Sequence, residues 1–110
     1  MATFKEISKK NVQIKDLIVG KQYVFGDYSD RLGFIPTCCN GNTCRVIVAK
    51  VGRKYVNVQL QNGTIDKGYD GEGFFEIEDA KALYFKSLKE RQQNGYPQTD
   101  AEIECLVKAL

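Results

Sequence analysis

The sequence predicts an α+β fold: a small, strongly bent antiparallel β-barrel over residues 4–78, then a two-helix hairpin over residues 79–110. Three observations predict it. Residues 1–78 are rich in Val, Ile, Tyr, Phe and Gly, whereas residues 79–110 are rich in Ala, Leu, Lys, Glu and Gln and hold a single Gly. In the first part, apolar residues recur at period 2 between turn clusters, as in half-buried strands. In the second they recur at i, i+3, i+4 and i+7, as in amphipathic helices. A chain of 110 residues is the size of one ordinary domain, so one domain with one core is expected over 1–110.

The strands are expected in this order. Val12–Ile18 begins with period-2 alternation, and Val19-Gly20-Lys21 offers a turn. Gln22–Phe25 is a short β-prone run, followed by a polar loop over 26–33. Phe34 and Ile35 open another strand, which Pro36 marks as an edge or a bulge. Asn40–Thr43 is a turn cluster. Cys44–Val51 is the strongest strand, β-branched on both faces, and Gly52-Arg53 turns it. Lys54–Leu60 places Val56, Val58 and Leu60 on one face and Tyr55, Asn57 and Gln59 on the other. Asn62-Gly63 predicts a two-residue type I′ turn. Thr64-Ile65 resumes the strand, Gly68–Gly73 is a loop, and Phe74–Ile77 is the last strand. Five or six short strands with tight turns favour an SH3-like barrel, because closure removes exposed edges.

The helices are signalled by caps. Asp79 is placed to cap a helix over 80–93, with Ala80, Leu83, Tyr84, Ser87, Leu88 and Arg91 along one stripe. Asn94-Gly95 ends it, with Gly95 where a left-handed residue is wanted, and Pro97 follows. Thr99-x-x-Glu102 is a capping box. Ile103, Leu106, Val107 and Leu110 then form an apolar face, so the two helices should pack on the barrel as a hairpin.

Composition argues against catalysis. The chain has no His, which removes the commonest general base and the commonest zinc ligand. Cys38, Cys39, Cys44 and Cys105 do not match paired zinc-ligand spacing. Cys39 and Cys44 flank a four-residue turn where oxidation would bridge them; otherwise all four are small apolar thiols. A nucleophilic cysteine would lack its base. The Gly68–Gly73 loop carries Asp70 and Glu72, which repel phosphate, and it lacks the ligands of a calcium loop. No metal and no cofactor are expected. The N-terminus is charged every few residues with no apolar stretch, and no segment approaches the ~20 residues of a membrane helix. The expected compartment is the cytoplasm, with no membrane contact.

The net charge of +2 conceals an uneven distribution. Residues 1–60 carry ten bases against four acids, a net +6, and residues 61–110 carry six against ten, a net −4. A molecule with a basic face and an acidic edge is expected. Asp66, Asp70, Glu72 and Glu76, with Tyr69 among them, form a candidate edge for docking on a basic partner protein. The second candidate is a nucleic-acid surface on the basic strands, using Arg45, Lys50, Arg53, Lys54 and Tyr55 to follow a DNA or RNA backbone.

The segment Val48-Ala49-Lys50-Val51-Gly52-Arg53-Lys54-Tyr55-Val56-Asn57-Val58 resembles a hairpin of small β-barrel accessory proteins of tailed bacteriophages. In those chains an aromatic strand and a helix rich in Glu, Ala and Lys follow, as Phe74-Phe75-Glu76-Ile77 and Asp79-Ala80-Lys81-Ala82 do here. The cysteine cluster and the second helix, Thr99–Leu110, depart from that pattern. The resemblance implies an accessory protein that blocks a host or defence protein by occupying its surface, anti-CRISPR proteins being one such class. The expected function is therefore a non-enzymatic protein-binding module, a monomer or homodimer, with a nucleic-acid-binding barrel as the alternative.

Overall fold

The computed structural model describes residues 4–37 and 45–110. Strand β1, Gln22–Ser29, organises the sheet, because three strands pair with it. Strand β6, Phe74–Phe75, lies on one edge, with Val24 opposite Phe75 and Phe25 opposite Phe74. The other edge is shared. Strand β3, Arg45–Val51, takes Gln22–Val24, and strand β2, Gly33–Pro36, takes Gly26–Ser29. Hydrogen bonds fix the sides: the Phe25 carbonyl accepts from Thr37 N–H (2.8 Å), while Gly26 N–H donates the other way to the Gly73 carbonyl (2.9 Å). Thr37 is thus set against Phe25, and Arg45 against Val24. Seven residues, 38–44, lie between two neighbouring ladder positions.

From β3 the sheet continues as an antiparallel meander through β4, Tyr55–Gln59, to β5, Ile65–Asp70. Among the described residues no ladder joins β5 to β6, so the six-stranded antiparallel sheet is open and the expected barrel closure is not formed. Two bulges bend it. On β3, Val48 faces Val58 and Lys50 faces Asn57, which leaves Ala49 as an extra residue. On β5, Lys67 and Gly68 together oppose Asn57, and Gly68 takes a positive φ of 82° that a side chain would resist.

The β1–β6 ladder separates two apolar clusters, where the sequence suggested one core. Alternation sends Tyr23 and Phe74 to one face and Val24 and Phe75 to the other. The first cluster fills the inside of the bent sheet, with Val46, Val48, Val56, Val58 and Leu60 closing on Tyr23 and Phe74. Phe74 meets Tyr23 and Phe25 edge-on, at ring-centroid distances of 6.2 and 5.2 Å. The second lies under the helices, where Ile7, Ala80, Leu83 and Leu110 pack on Val24, Phe34 and Phe75.

Several boundaries differ from expectation. Residues 12–18 are not a strand. Helix α1, Phe4–Lys10, is followed by a bridge between Asn11 and Phe75 and a 3₁₀ turn, Ile14–Asp16. Ile14 and Leu17 are three apart, and a 3₁₀ turn brings such residues to one side, here towards the first cluster. The polar stretch 26–33 is mostly hairpin, since β1 runs to Ser29 and β2 starts at Gly33. Gly68–Asp70 belongs to β5, leaving a short turn at 71–73. Asn62-Gly63 sits in a three-residue loop: Gly63 N–H donates to the Leu60 carbonyl (2.9 Å) and Leu60 N–H to the Thr64 carbonyl (2.9 Å).

Helix α2, Ile77–Gln93, starts before Asp79, and Glu76 rather than Asp79 holds the N-cap position. Asp79 and Glu78 sit in the first turn, where the helix dipole favours them. The expected stripe is realised: Ala80, Leu83, Ser87 and Leu88 are buried. Its polar members seal the outer edge of β2. Phe34 N–H donates to Ser87 Oγ (2.9 Å), and Arg91 donates from Nε to the Leu32 carbonyl (3.0 Å) and from Nη2 to the Phe34 carbonyl (3.3 Å). Helix side chains thus take the place of a strand. Ser87→Ala leaves the buried Phe34 N–H without its acceptor and is expected to cost about 1–3 kcal/mol, read from urea midpoints.

Gly95, at φ 97°, ends α2 in a Schellman motif, with Tyr96 N–H on the Arg91 carbonyl (3.0 Å) and Gly95 N–H on the Gln92 carbonyl (3.2 Å). Helix α3, Asp100–Lys108, is capped by Thr99 Oγ1, which accepts from Glu102 N–H (3.1 Å). Ile103 is buried against α2, but Leu106 is exposed, so the predicted apolar face is covered only in part. Asp100 binds Lys89 Nζ (2.9 Å), and this bond, then one from Gln92, holds its carboxyl below the usual carboxylate range. A depressed folded value stabilises above the unfolded value of about 3.9 and is lost as pH falls through the folded one. Asp100→Asn should therefore melt below wild type at pH 7, with the gap closing under acid as Tm is followed. No helix among the described residues is long and apolar enough to cross a membrane.

Candidate functional site

The uneven charge along the sequence does not become a separation in space. Lys21 Nζ reaches Glu76 Oε1 (2.8 Å), Lys10 reaches Asp79 (3.8 Å) and Lys86 reaches Glu6 (2.6 Å). Each pair joins the basic first part to the acidic second, with signs reversed in the last. The hydrogen bond that Lys21 donates to Glu76 raises the Lys21 pKa above that of an ordinary lysine.

These contacts sort the predicted acidic edge. Glu76 is engaged with Lys21. Asp66 Oδ2 accepts from the Tyr69 hydroxyl (3.1 Å), and Tyr69 packs edge-on against Phe25 at 4.8 Å, so both are partly buried parts of the fold. Asp70 and Glu72 remain exposed at the end of β5. Asp70 Oδ1 accepts from Glu72 N–H (3.0 Å), which orders the turn.

The basic set is likewise divided. Arg45 Nη2 donates to the main-chain oxygen of Leu110, tying β3 to the end of the helical hairpin. Lys50, Arg53, Lys54 and Tyr55 are exposed. They lie on β3, β4 and the turn between them, and Lys54 Nζ sits 5.6 Å from the Tyr55 ring centre. Tyr55 is opposite Asp70 across the β4–β5 ladder, and the Lys54 carbonyl accepts from Gly71 N–H (3.0 Å). The basic turn therefore adjoins the acidic one.

Cys38, Cys39 and Cys44 lie outside the described residues, as does the Asn40–Thr43 turn, and the thiol of Cys105 is exposed. Among the described residues no three His, Cys, Asp or Glu side chains are grouped to hold a metal.

The feature the sequence did not reveal is a cleft of about 580 Å³ beside the β1–β6 ladder. Ser8 of α1, Asn11 just after it, Asp27 and Tyr28 of β1, Asp70 at the end of β5 and Glu72 of the turn that follows are among the residues that line it. Among the described residues, Asp27, Asp70 and Glu72 are its charged lining residues, and no lysine or arginine lines it. Among the described residues none of the three takes part in an ion pair. Asn11 Oδ1 is shielded and accepts no hydrogen bond from the described residues. Uncompensated carboxylates in a concave site focus negative potential, which attracts cations. Asp27 was hidden because it reads as part of a polar loop; the Tyr23–Phe25–Asp27 alternation through β1 was the available signal. Comparison with protein-family models, with curated proteins and with solved structures finds no match for the chain.

Proposed function

We propose that the chain is a non-enzymatic protein-binding module whose acidic cleft receives a basic segment of a partner protein. The observation that carries this reading is the cleft lined by Asp27, Asp70 and Glu72 with no base lining it among the described residues. It shifts the docking site from the whole acidic edge to Asp70 and Glu72, joined by Asp27. The bent open sheet is, on this reading, an incomplete SH3-like barrel acting in the cytoplasm. The phage-type hairpin at Val48–Val58 suggests the partner class: a host or defence protein with a basic surface, whose nucleic acid the module would displace, as an anti-CRISPR protein does.

One observation favours a second reading. The exposed Tyr55 ring, with Lys54 at 5.6 Å and Lys50 and Arg53 nearby in sequence, offers a base-stacking platform for nucleic acid. Titration with fluorescent oligolysine and with a fluorescent single-stranded oligonucleotide separates the two. Oligolysine should bind, and Asp70→Lys with Glu72→Lys should weaken it about tenfold or more, with a strong salt dependence. Binding of the oligonucleotide alone would overturn the protein-binding reading.

A further inference from the structure

The bent sheet turns one face to the inner cluster and the other outwards. On β4, Val56 and Val58 point inwards, so Tyr55, Asn57 and Gln59 point outwards. Cross-strand partners share a face, so the register assembles the outer surface. Gln59 lies in one rung with Ile65 on β5, Ile47 on β3 and Gln22 on β1. Asn57 lies between Lys50 on β3 and, across the β5 bulge, Lys67, which follows the inward Asp66. Tyr55 is paired with Asp70. Helix α2 and Leu110 cover the continuation of this face, where Val24 is buried and its partner Arg45 donates to the Leu110 oxygen. Over β4 and β5 the face is open: Tyr55 is 53% exposed and Ile65 48%, and Lys50 and Lys67 are exposed as well.

We infer that this outer face binds single-stranded nucleic acid laid across β3, β4 and β5, with a base stacked on Tyr55 and the backbone held by Lys50 and Lys67. This rests on Tyr55 serving as a stacking platform, and it is independent of the acidic cleft. Charge selects a polyanion. Among the described residues of these rungs Asp70, at the edge, is the one acid, against Lys50 and Lys67, with Arg53 and Lys54 in the adjoining turn. Lys67 is a base within the acidic run of the sequence, and it joins Lys50 only through the ladders that both make with β4. Side-chain chemistry selects nucleic acid among polyanions. An exposed ring stacks on any base, and the amides of Asn57 and Gln59 carry both donors and acceptors for base edges. Shape selects the single strand. A duplex groove admits a helix or a two-stranded ribbon, not a broad sheet, whereas unpaired bases can be splayed out on a sheet face. Tyr55 and Gln59 are about 13 Å apart along β4, so the platform spans a few nucleotides.

The test titrates the full chain into three fluorescent probes and follows anisotropy: a short oligothymidine, its duplex with oligoadenosine, and inorganic polyphosphate. The single strand should bind about tenfold or more tighter than either of the others, and Tyr55→Ala should weaken it about tenfold. Lys50→Ala with Lys67→Ala should reduce the log–log salt slope by about 1.4, or ~0.7 for each lost phosphate contact on a single strand. Lys108→Ala on α3 is the control and should leave the slope unchanged. Equal binding of the duplex or of polyphosphate would overturn the inference. A single-strand complex indifferent to Lys67→Ala would overturn it too, while leaving Tyr55 and the 52–54 turn as the nucleic-acid site. Failure of every oligonucleotide to bind would overturn both, and would leave the acidic cleft to the oligolysine titration.

Discussion

Phe74→Ala is expected to lower stability by about 3–5 kcal/mol, seen as a shifted urea midpoint at nearly constant m. Phe74 has no exposed surface and is wedged between the Tyr23 and Phe25 rings. Its neighbours come from β1, β3 and β4, which the ladders hold in place, so they cannot collapse into the space the ring leaves. Its backbone also belongs to β6, the short strand that anchors the 70–73 turn and the start of α2. A loss below about 1 kcal/mol would mean that the inner cluster closes up freely, against the picture of a sheet pinned by two bulges.

Ile103→Asp is expected to release α3 from α2. Ile103 is fully buried. Burying an unpaired charge is far costlier than undocking a helix of about two and a half turns, so the helix leaves and the charge stays hydrated. The expected loss is more than about 3 kcal/mol in the melt, with reduced helical circular dichroism and a retained sheet signal. Leu106→Asp is the control. Leu106 lies on the same helix but is 37% exposed, and its replacement should cost less than about 0.5 kcal/mol. Equal effects of the two substitutions would show that α3 is not docked through Ile103.

What was legible in the sequence is what local pattern encodes. Val56, Val58 and Leu60 alternate and are buried, because β4 is central in the meander and one face meets the core. The α2 stripe and the Thr99 cap were legible for the same reason: i, i+3 and i+4 spacing and a side chain reaching three residues on are local geometry. Helix α1 was not, since seven residues are too few to be helical alone and this one is held by Ile7 and by Lys86 on Glu6. The extent of β5 was missed because Gly68 reads as a loop residue until its ladder to β4 shows it absorbing a bulge. The acidic edge was read as a run of neighbours. Its members are divided by partners distant in sequence, Lys21 for Glu76 above all, and its missing member, Asp27, comes from a strand more than forty residues away.

The interrupted partner of β1 has a consequence for how the chain tolerates change. Thr37 and Arg45 occupy consecutive rungs, so the hydrogen bonding of the sheet sets no length for what joins them. Three of the four cysteines fall in that joining stretch. The described ladders therefore fix where that stretch leaves and rejoins the sheet, at Thr37 and Arg45, and leave its length to other constraints.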